Sequence, residues 1–233
     1  MTTRERVLEA LAGVHDPELD EPITSLRFVS SCAVTADGHV QVLLRLPTPQ
    51  CAPNFAYLMA ADARNAVRRL PGVRGVTVSL EDHYTGEEIN AALARGEGFT
   101  GAFPGETEDD ELDSLRRLFQ RKALLARQSR LCDALLADGD TPAQVCARRV
   151  ADLTDDPELR RCLELRGELG LPHHSESPAL VLPNGEPLPV AELERWLRMA
   201  RLVRTSLEAN GGICRSLLEA RHGVMATSEE VAG

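Results

Sequence analysis

The sequence predicts an α+β protein in which a small α-β-β-α-β sandwich domain is followed by a mostly α-helical domain with one short β-hairpin. Over about the first 90 residues, helical and strand patterns of apolar residues alternate, and beyond residue 110 the apolar spacing is almost wholly helical. A stretch rich in glycine and acid separates the two patterns. The predicted organisation is therefore a first domain at 1–95, a linker at 96–109 and a second domain at 110–233.

The first domain is predicted to open with a helix and a pair of strands. Residues 3–12 place apolar side chains at helical spacing, with charges on the opposite face. Asp16 before Pro17 then starts a turn or short helix. Two strand patterns follow, joined by a tight turn at Asp37-Gly38, a dipeptide suited to a hairpin.

A helix and a third strand complete the predicted sandwich. Residues 54–70 have helical periodicity, and a strand pattern resumes after the break at Pro71-Gly72. The order of elements is therefore α-β-β-α-β, which indicates a small mixed sheet covered by helices.

The second domain is predicted from helix start and stop signals. Thr141-Pro142 and Asp156-Pro157 are typical helix starts, and glycines near 139, 170 and 211 are typical of helix ends. The letters "DPEL" occur both at 16–19 and at 156–159, so this tetrapeptide alone carries little functional information. One apolar interruption, residues 178–189, predicts a short hairpin turning at Asn184-Gly185.

Composition narrows the classes of function. The chain has 233 residues, a formal net charge of −10 and a pI near 5.1, which exclude a basic field for nucleic-acid binding. No apolar stretch is long enough to span a bilayer, and the charged, amphipathic start does not resemble a secretory signal. We therefore expect a cytoplasmic protein with neither nucleic-acid nor membrane partners.

The cysteine at position 51 is the most conspicuous candidate for chemistry. Cys51 stands between Pro49 and Pro53, where an apolar strand pattern gives way to a helical one. The unpaired N–H groups at a helix start favour the thiolate, which is the form that binds metal or attacks sulfur. The alternative is that Cys51 is a small apolar side chain filling the core.

An ordered set of motifs accompanies this cysteine and resembles the SufT/PaaD-type iron-sulfur cluster assembly domain, from about Val7 to Asn90. The first motif is "DPEL" at 16–19, after the first helix, and a strand pair follows it. A Thr-x-x-Cys turn, formed by Thr48 and Cys51 with Pro53 close behind, then leads into a helix, and a strand segment at 70–80 comes after that helix. The resemblance implies that Cys51 is the reactive or metal-handling residue, that Asp16 lies near it, and that Thr48, Pro53 and Asn54 form the supporting turn.

Departures from the family pattern place the chain in a divergent branch. "CAPNF" at 51–55 stands where family members commonly have "CP", and "TSLRFV" at 24–29 replaces the usual "D-x-G-L-V". The segments 52–63 and 80–90 resemble the branch that accompanies bacterial multicomponent di-iron monooxygenases such as propane monooxygenase.

His83 is the second candidate, because it follows the last strand of the predicted sheet. If the strand ends and the Cys51 turn share one edge, then Cys51, His83 and either Asp82 or Asp16 can approach one another. A thiolate, an imidazole and a carboxylate can together ligate iron or zinc. The alternative is a surface histidine in a polar turn.

The remaining cysteines have simpler explanations. Cys32 lies in an apolar strand pattern, and three others fall on helical patterns beside leucine or alanine, at Cys132, Cys146 and Cys162. Cys214 follows two glycines and is expected to begin a helix. The segment 169–197 is similar to the closing hairpin and helix of DsbC-type thioredoxin-fold proteins, with Pro178 before the hairpin, but no CxxC pair is present.

Three functional hypotheses follow. In the first, the chain is a maturation factor in which Cys51 transiently holds iron, an iron-sulfur cluster or sulfur while the helical domain docks a client metalloenzyme or its subunits. In the second, the chain is a structural chaperone or docking protein for a multicomponent di-iron monooxygenase and has no metal chemistry. In the third, the chain is a thiol–disulfide enzyme, but the sequence has no CxxC pair to supply the nucleophiles.

Catalytic turnover is not expected. No Ser-His-Asp pattern, phosphate-binding glycine loop or paired-carboxylate motif is present to suggest an enzyme. Other cluster-assembly proteins and a second copy of the chain, giving a homodimer, are further candidate partners.

Overall fold

The computed structural model describes residues 2–105 and 109–223, and these residues form two compact units. The first unit consists of Met1–Ser114 together with Ala209–Gly233, and the second unit is Leu115–Glu208. The division differs from the predicted domains 1–95 and 110–233, because the C-terminal residues group with the N-terminal ones.

The first unit has the predicted α-β-β-α-β order, extended by two further helices. Its elements in chain order are α1 Arg4–Ala12, β1 Val29–Val34, β2 His39–Arg45, α2 Pro53–Arg68, β3 Gly75–Glu81, α3 Gly86–Arg95 and α4 Phe99–Ala102. The prediction of a small mixed sheet with helices, followed by a mostly helical region, is confirmed.

The sheet has β2 in its centre. β1 pairs with β2 antiparallel through the predicted hairpin, whose Gly38 has the positive φ of 86° that such turns favour. β2 pairs with β3 in parallel, with α2 as the crossover helix. The last residues of both strands, Arg45 and Glu81, are register partners and form an ion pair of 3.0 Å. The turns that follow β2 and β3 therefore leave the same edge of the sheet.

One apolar core lies between this sheet and its helices. Strand β2 alternates buried and half-exposed positions, as a strand with one covered face should, and buries Val40, Val42 and Leu44. Helices α1 and α2 contribute buried side chains at helical spacing to this core. They are Val7, Leu11, Ala56, Ala60, Ala63 and Val67.

The predicted linker contributes to this core. Phe99, Ala102 and Phe103 are buried, and the Phe99 ring meets the Tyr57 ring edge-on at 5.4 Å between centroids. Residues 96–105 therefore belong to the first unit, because their aromatic side chains need the same core. Residues 106–108 of the predicted linker lie outside the described residues.

The second unit is helical, as predicted for this part of the chain. It contains most of α5 Asp109–Ala137, all of α6 Pro142–Ala147 and α7 Pro157–Glu168, and residues 193–208 of α8 Leu193–His222. Thr141 caps α6 through a reciprocal pair of hydrogen bonds with Gln144, and Asp156 caps α7 by accepting from the Leu159 N–H at 2.8 Å. The second "DPEL" thus only starts a helix.

The predicted hairpin is present as a turn with one bridge. Val181 and Pro187 form a single antiparallel bridge, and the Leu182 N–H donates to the Glu186 carbonyl at 2.8 Å. Gly185 turns the chain with a φ of 86°, as the Asn-Gly signal indicates. Proline at 187 has no N–H for a second ladder bond.

The last helix contradicts the predicted stop near residue 211. Helix α8 continues through Gly211 to His222, and residues 209–222 belong to the first unit. A Cβ atom at Gly211 would lie 2.5 Å from Glu21 Oε1, so this glycine permits close packing and does not end the helix. Leu218 is buried in the first core, which holds this part of α8 on the first unit.

None of the helices among residues 2–105 and 109–223 combines the length and the apolarity that crossing a membrane would require.

Candidate functional site

The turn between β2 and α2 positions Cys51. The Cys51 N–H donates to the Thr48 carbonyl at 3.3 Å, and the Thr48 hydroxyl lies 3.6 Å from the Cys51 sulfur. The side chain of Cys51 is half-buried and packs against the first core. The predicted Thr-x-x-Cys turn therefore forms, and its threonine contacts the thiol.

The N-cap residue of α2 supplies no capping side chain. Ala52 is the N-cap residue and Pro53 occupies the first helical turn, while the Asn54 side chain accepts only from the adjacent Phe55 N–H at 2.9 Å. Cys51 directly precedes this helix start.

His83 supports the turn through both ring nitrogens. Its Nε2 lies 2.8 Å from the Cys51 carbonyl oxygen, and its Nδ1 accepts from the Thr85 N–H at 3.3 Å. Because Nδ1 accepts, Nε2 carries the proton and donates it to the carbonyl. His83 therefore contacts the backbone of Cys51 and orients the turn; these contacts leave neither nitrogen free to ligate a metal.

Asp82 lies at the same edge but is paired with an arginine from α8. The Arg221 guanidinium forms an ion pair with the Asp82 carboxylate and donates to the Pro47 carbonyl at 3.0 Å. Arg221 thus connects the turn after β2 with the turn after β3.

Asp16 is buried in the first "DPEL" turn. Its Oδ1 accepts from the N–H groups of Glu18 and Leu19 at 2.8 and 3.0 Å. Burial raises the pKa of Asp16 to about 6, although these two bonds act in the opposite direction. Asp16 is close enough to Cys214 for its charge to contribute to the raised pKa of that thiol.

The predicted residues do not form one ligand set. Among the described residues, no group of three or more histidine, cysteine, aspartate or glutamate side chains is arranged to hold a metal ion. Both ring nitrogens of His83 are hydrogen-bonded to backbone groups, and the Asp82 carboxylate is paired with Arg221. These contacts explain why the predicted residues do not converge on one point.

Sequence reasoning missed the contribution of the last helix. Cys214 was expected to begin a helix, but it lies within α8, is half-buried and packs against the first core. Burial is the main cause that raises the pKa of Cys214 to about 11, and the charges of Asp16 and Cys51 raise it further. A usable sequence signal was the spacing of Cys214, Leu218 and Arg221 on one helix face.

The other four thiols are less suited to chemistry. Cys32, Cys132 and Cys162 are buried, and Cys146 is half-buried in the second unit. Burial raises the pKa of all four. Their predicted role as packing residues agrees with this placement.

The second unit carries an open cavity, which we call the apolar groove. Its volume is about 190 Å³, and its apolar lining includes Leu118, Leu124, Leu171, Val181, Leu182 and Trp196. Two exposed cations, Arg121 and Lys122, also line the apolar groove, and Lys122 Nζ lies 4.4 Å from the centre of the Phe119 ring.

Comparison with known proteins gives related sequences for the N-terminal part. Residues 4–80 match the family described as "Iron-sulfur cluster assembly protein". An uncharacterized protein of Methanocaldococcus jannaschii is 35% identical over 97 residues, which are 42% of this chain and all of that protein. A protein of Porphyromonas gingivalis named "Fe-S protein maturation auxiliary factor" is 32% identical over 80 residues, which are 34% of this chain and 74% of that protein.

Proposed function

This chain belongs to the iron-sulfur cluster assembly protein family, and we propose that it is a maturation factor that delivers iron or an iron-sulfur cluster to a client metalloenzyme through Cys51. The observation that carries the proposal is the position of Cys51, inside the family-matched residues 4–80 and directly before an uncapped helix start.

The chemistry of the turn suits a temporary ligand. A thiolate binds iron and cluster iron strongly, and a half-buried position allows both loading and release. Thr48 and His83 contact the thiol and the carbonyl of Cys51 respectively, so both restrict where the sulfur lies. Iron or the cluster is cargo in this proposal, and the chain assembles and transfers it without catalytic turnover of its own.

The apolar groove supports a client-docking role for the second unit. The whole chain carries a net charge of −10, yet Arg121 and Lys122 are exposed at this groove and have no carboxylate partner among the described residues. Charge complementarity therefore favours a client segment with apolar side chains and nearby carboxylates, such as an amphipathic helix. We assign this occupant to the apolar groove.

The identity of the client is the most specific part of the proposal. The resemblance of residues 52–63 and 80–90 to the monooxygenase-associated branch makes a multicomponent di-iron monooxygenase the client that we propose. The apolar groove equally supports a second function, in which the chain docks or chaperones that enzyme without handling metal.

Substitution of Cys51 separates the two functions. We expect Cys51→Ser to abolish anaerobic uptake of ferrous iron by the full chain and maturation of the client, because a neutral hydroxyl is a poor ligand for iron. Cys146→Ser, another half-buried thiol, is the matched control and should leave both unchanged. If Cys51→Ser folds, as judged by circular dichroism, and still matures the client, the chain is a docking protein and the metal-carrier proposal is wrong.

A further inference from the structure

A cleft lined by arginines lies on the first unit, between the last turns of α2 and the start of β3. Its volume is about 330 Å³, and Arg64, Arg68 and Arg74 line it, so we call it the arginine cleft. Arg64 and Arg68 are four positions apart on α2 and therefore share one helix face. Arg74 comes directly before β3, where its N–H donates to the Gly38 carbonyl at 2.8 Å. Two elements thus bring three arginines to one cleft.

The arginines of this cleft are not neutralised by carboxylates. In the part of the chain that the structure describes, none of the three forms an ion pair, although the whole chain has a net charge of −10. The Arg64 guanidinium lies near Gly96, but the adjacent Glu97 pairs with Arg95 at 2.7 Å. Like charges in one cleft repel one another, and a bound anion removes that repulsion.

Local roles do not account for the three arginines together. Arg68 lies in the last turn of α2, where its charge also offsets the negative end of the helix dipole. Arg74 lines a second opening beside Asp37, but the Asp37 carboxylate accepts from the Thr35 hydroxyl. Neither role requires a group of three cations.

We propose that the arginine cleft binds a phosphate group, either free or carried by a small molecule. A guanidinium presents paired N–H donors in a planar fork, which matches the oxygens of phosphate and carboxylate. Three such forks supply more donors than the two oxygens of one carboxylate accept, whereas a phosphate group has three strong acceptor oxygens. The number of arginines therefore favours phosphate.

The arginine cleft is separate from the Cys51 turn. Arg74 precedes β3 and Cys51 follows β2, and because these strands are parallel the two residues lie at opposite edges of the sheet. The seven residues of β3 rise about 3.3 Å each, which separates the edges by about 20 Å. A ligand of the arginine cleft therefore does not meet cargo bound at Cys51.

Calorimetric titration of the full-length chain with pyrophosphate, at constant ionic strength, tests the site. We expect Arg64→Gln, Arg68→Gln and Arg74→Gln each to weaken binding about tenfold, because each removes charge-assisted hydrogen bonds. Arg69→Gln is the matched control, since Arg69 is exposed beside Arg68 and its loss changes the net charge equally, but it does not line the cleft.

Two results would overturn the inference. The first is that the parent chain does not bind pyrophosphate, or that Arg69→Gln weakens binding as much as the other variants, because the attraction would then be general. The second is that citrate binds as tightly as pyrophosphate with the same dependence on the three arginines, because the cleft would then be a carboxylate site.

Titration with ADP and with inorganic phosphate identifies the source of the phosphate group. Tighter binding of ADP indicates a nucleotide, and tighter binding of inorganic phosphate indicates a free ion; either result supports the site. Thermal unfolding of each variant checks its folding. Because Arg64 is half-buried, the exposed Arg68 and Arg74 decide the test if Arg64→Gln does not fold.

Discussion

The imidazole of His83 donates a hydrogen bond from Nε2 to the carbonyl oxygen of Cys51, at a distance of 2.8 Å. A histidine expected to ligate a metal instead holds the backbone of the candidate ligand. This relationship makes His83 a positioning residue for the Cys51 turn.

We expect His83→Ala to weaken ferrous iron uptake about tenfold without abolishing it, because the turn loses its anchor while the thiol remains. The lost hydrogen bond should lower the free energy of unfolding by about 1 kcal/mol. His39→Ala is the control, since His39 lies at the opposite end of β2 and contacts Thr77. Complete loss of uptake in a folded His83→Ala protein would instead indicate direct ligation.

Cys51 should be alkylated by iodoacetamide at neutral pH faster than each of the five other cysteines. The rate follows the thiolate fraction and the exposure of the sulfur, and burial raises the pKa of the other five thiols. Peptide mapping by mass spectrometry after short exposures measures the order of reaction. If Cys51 is the slowest, it is a core residue.

Asp16 should make the protein less stable as pH rises through the interval from about 4 to about 6. The folded-state pKa of about 6 lies above the ordinary value of 3.8, so the folded state binds more protons there than the unfolded state. At 1.36 kcal/mol per pKa unit, the loss amounts to about 3 kcal/mol. Urea unfolding between pH 4 and 7 measures it.

Asp16→Asn is the matching variant, because an amide oxygen can accept the same two hydrogen bonds from Glu18 and Leu19. We expect the variant to lose this part of the pH dependence and to be more stable than the parent at pH 7. An unchanged slope would show that Asp16 titrates normally.

Leu218→Ala should loosen the C-terminal part of α8 from the first unit. Leu218 is 4% exposed and its truncation should cost about 2–5 kcal/mol. Adjacent Leu217 is 40% exposed, so Leu217→Ala should cost much less. Hydrogen exchange of residues 209–222 should accelerate only in Leu218→Ala, and equal effects of both variants would contradict the packing described above.

Occupancy of the apolar groove should be visible in the fluorescence of Trp196, the only tryptophan of the chain. We expect a synthetic amphipathic helix with leucines on one face and glutamates beside them to shift this emission and to bind less tightly as salt rises. The double substitution Arg121→Glu and Lys122→Glu should weaken binding about tenfold or more.

Arg198→Glu is the control for the apolar groove, because Arg198 is also exposed in the second unit but pairs with Glu194. If the control weakens binding as much as the double substitution, general charge attraction explains the binding and the groove is not the site.

Local signals made most of the first unit predictable. The Asp37-Gly38 turn, the break at Pro71-Gly72 and the alternation along β2 each depend on neighbours in the chain, and each element formed where its pattern indicates. The turn of Thr48 with Cys51 was predictable for the same reason, since its contacts join residues three positions apart.

Contacts between distant residues were not predictable in this way. The two glycines at 211 and 212 predict a helix end, whereas α8 continues through them and the distant Glu21 side chain lies against Gly211. Nothing near His83 in the sequence indicates that its ring would bond to a carbonyl 32 positions earlier. The packing of Cys214 on the first core was likewise not predictable, because it depends on the return of α8 to the first unit.

The return of residues 209–222 to the first unit has a consequence for synthesis on the ribosome. Translation proceeds from the N-terminus, so the sheet and the turn of Cys51 emerge long before the helix segment that packs on them. Until that segment leaves the exit tunnel, the nascent first unit lacks Leu218 in its core and Arg221 at its turns. The turns after β2 and β3 are therefore without their connection through Arg221 until that residue has been made.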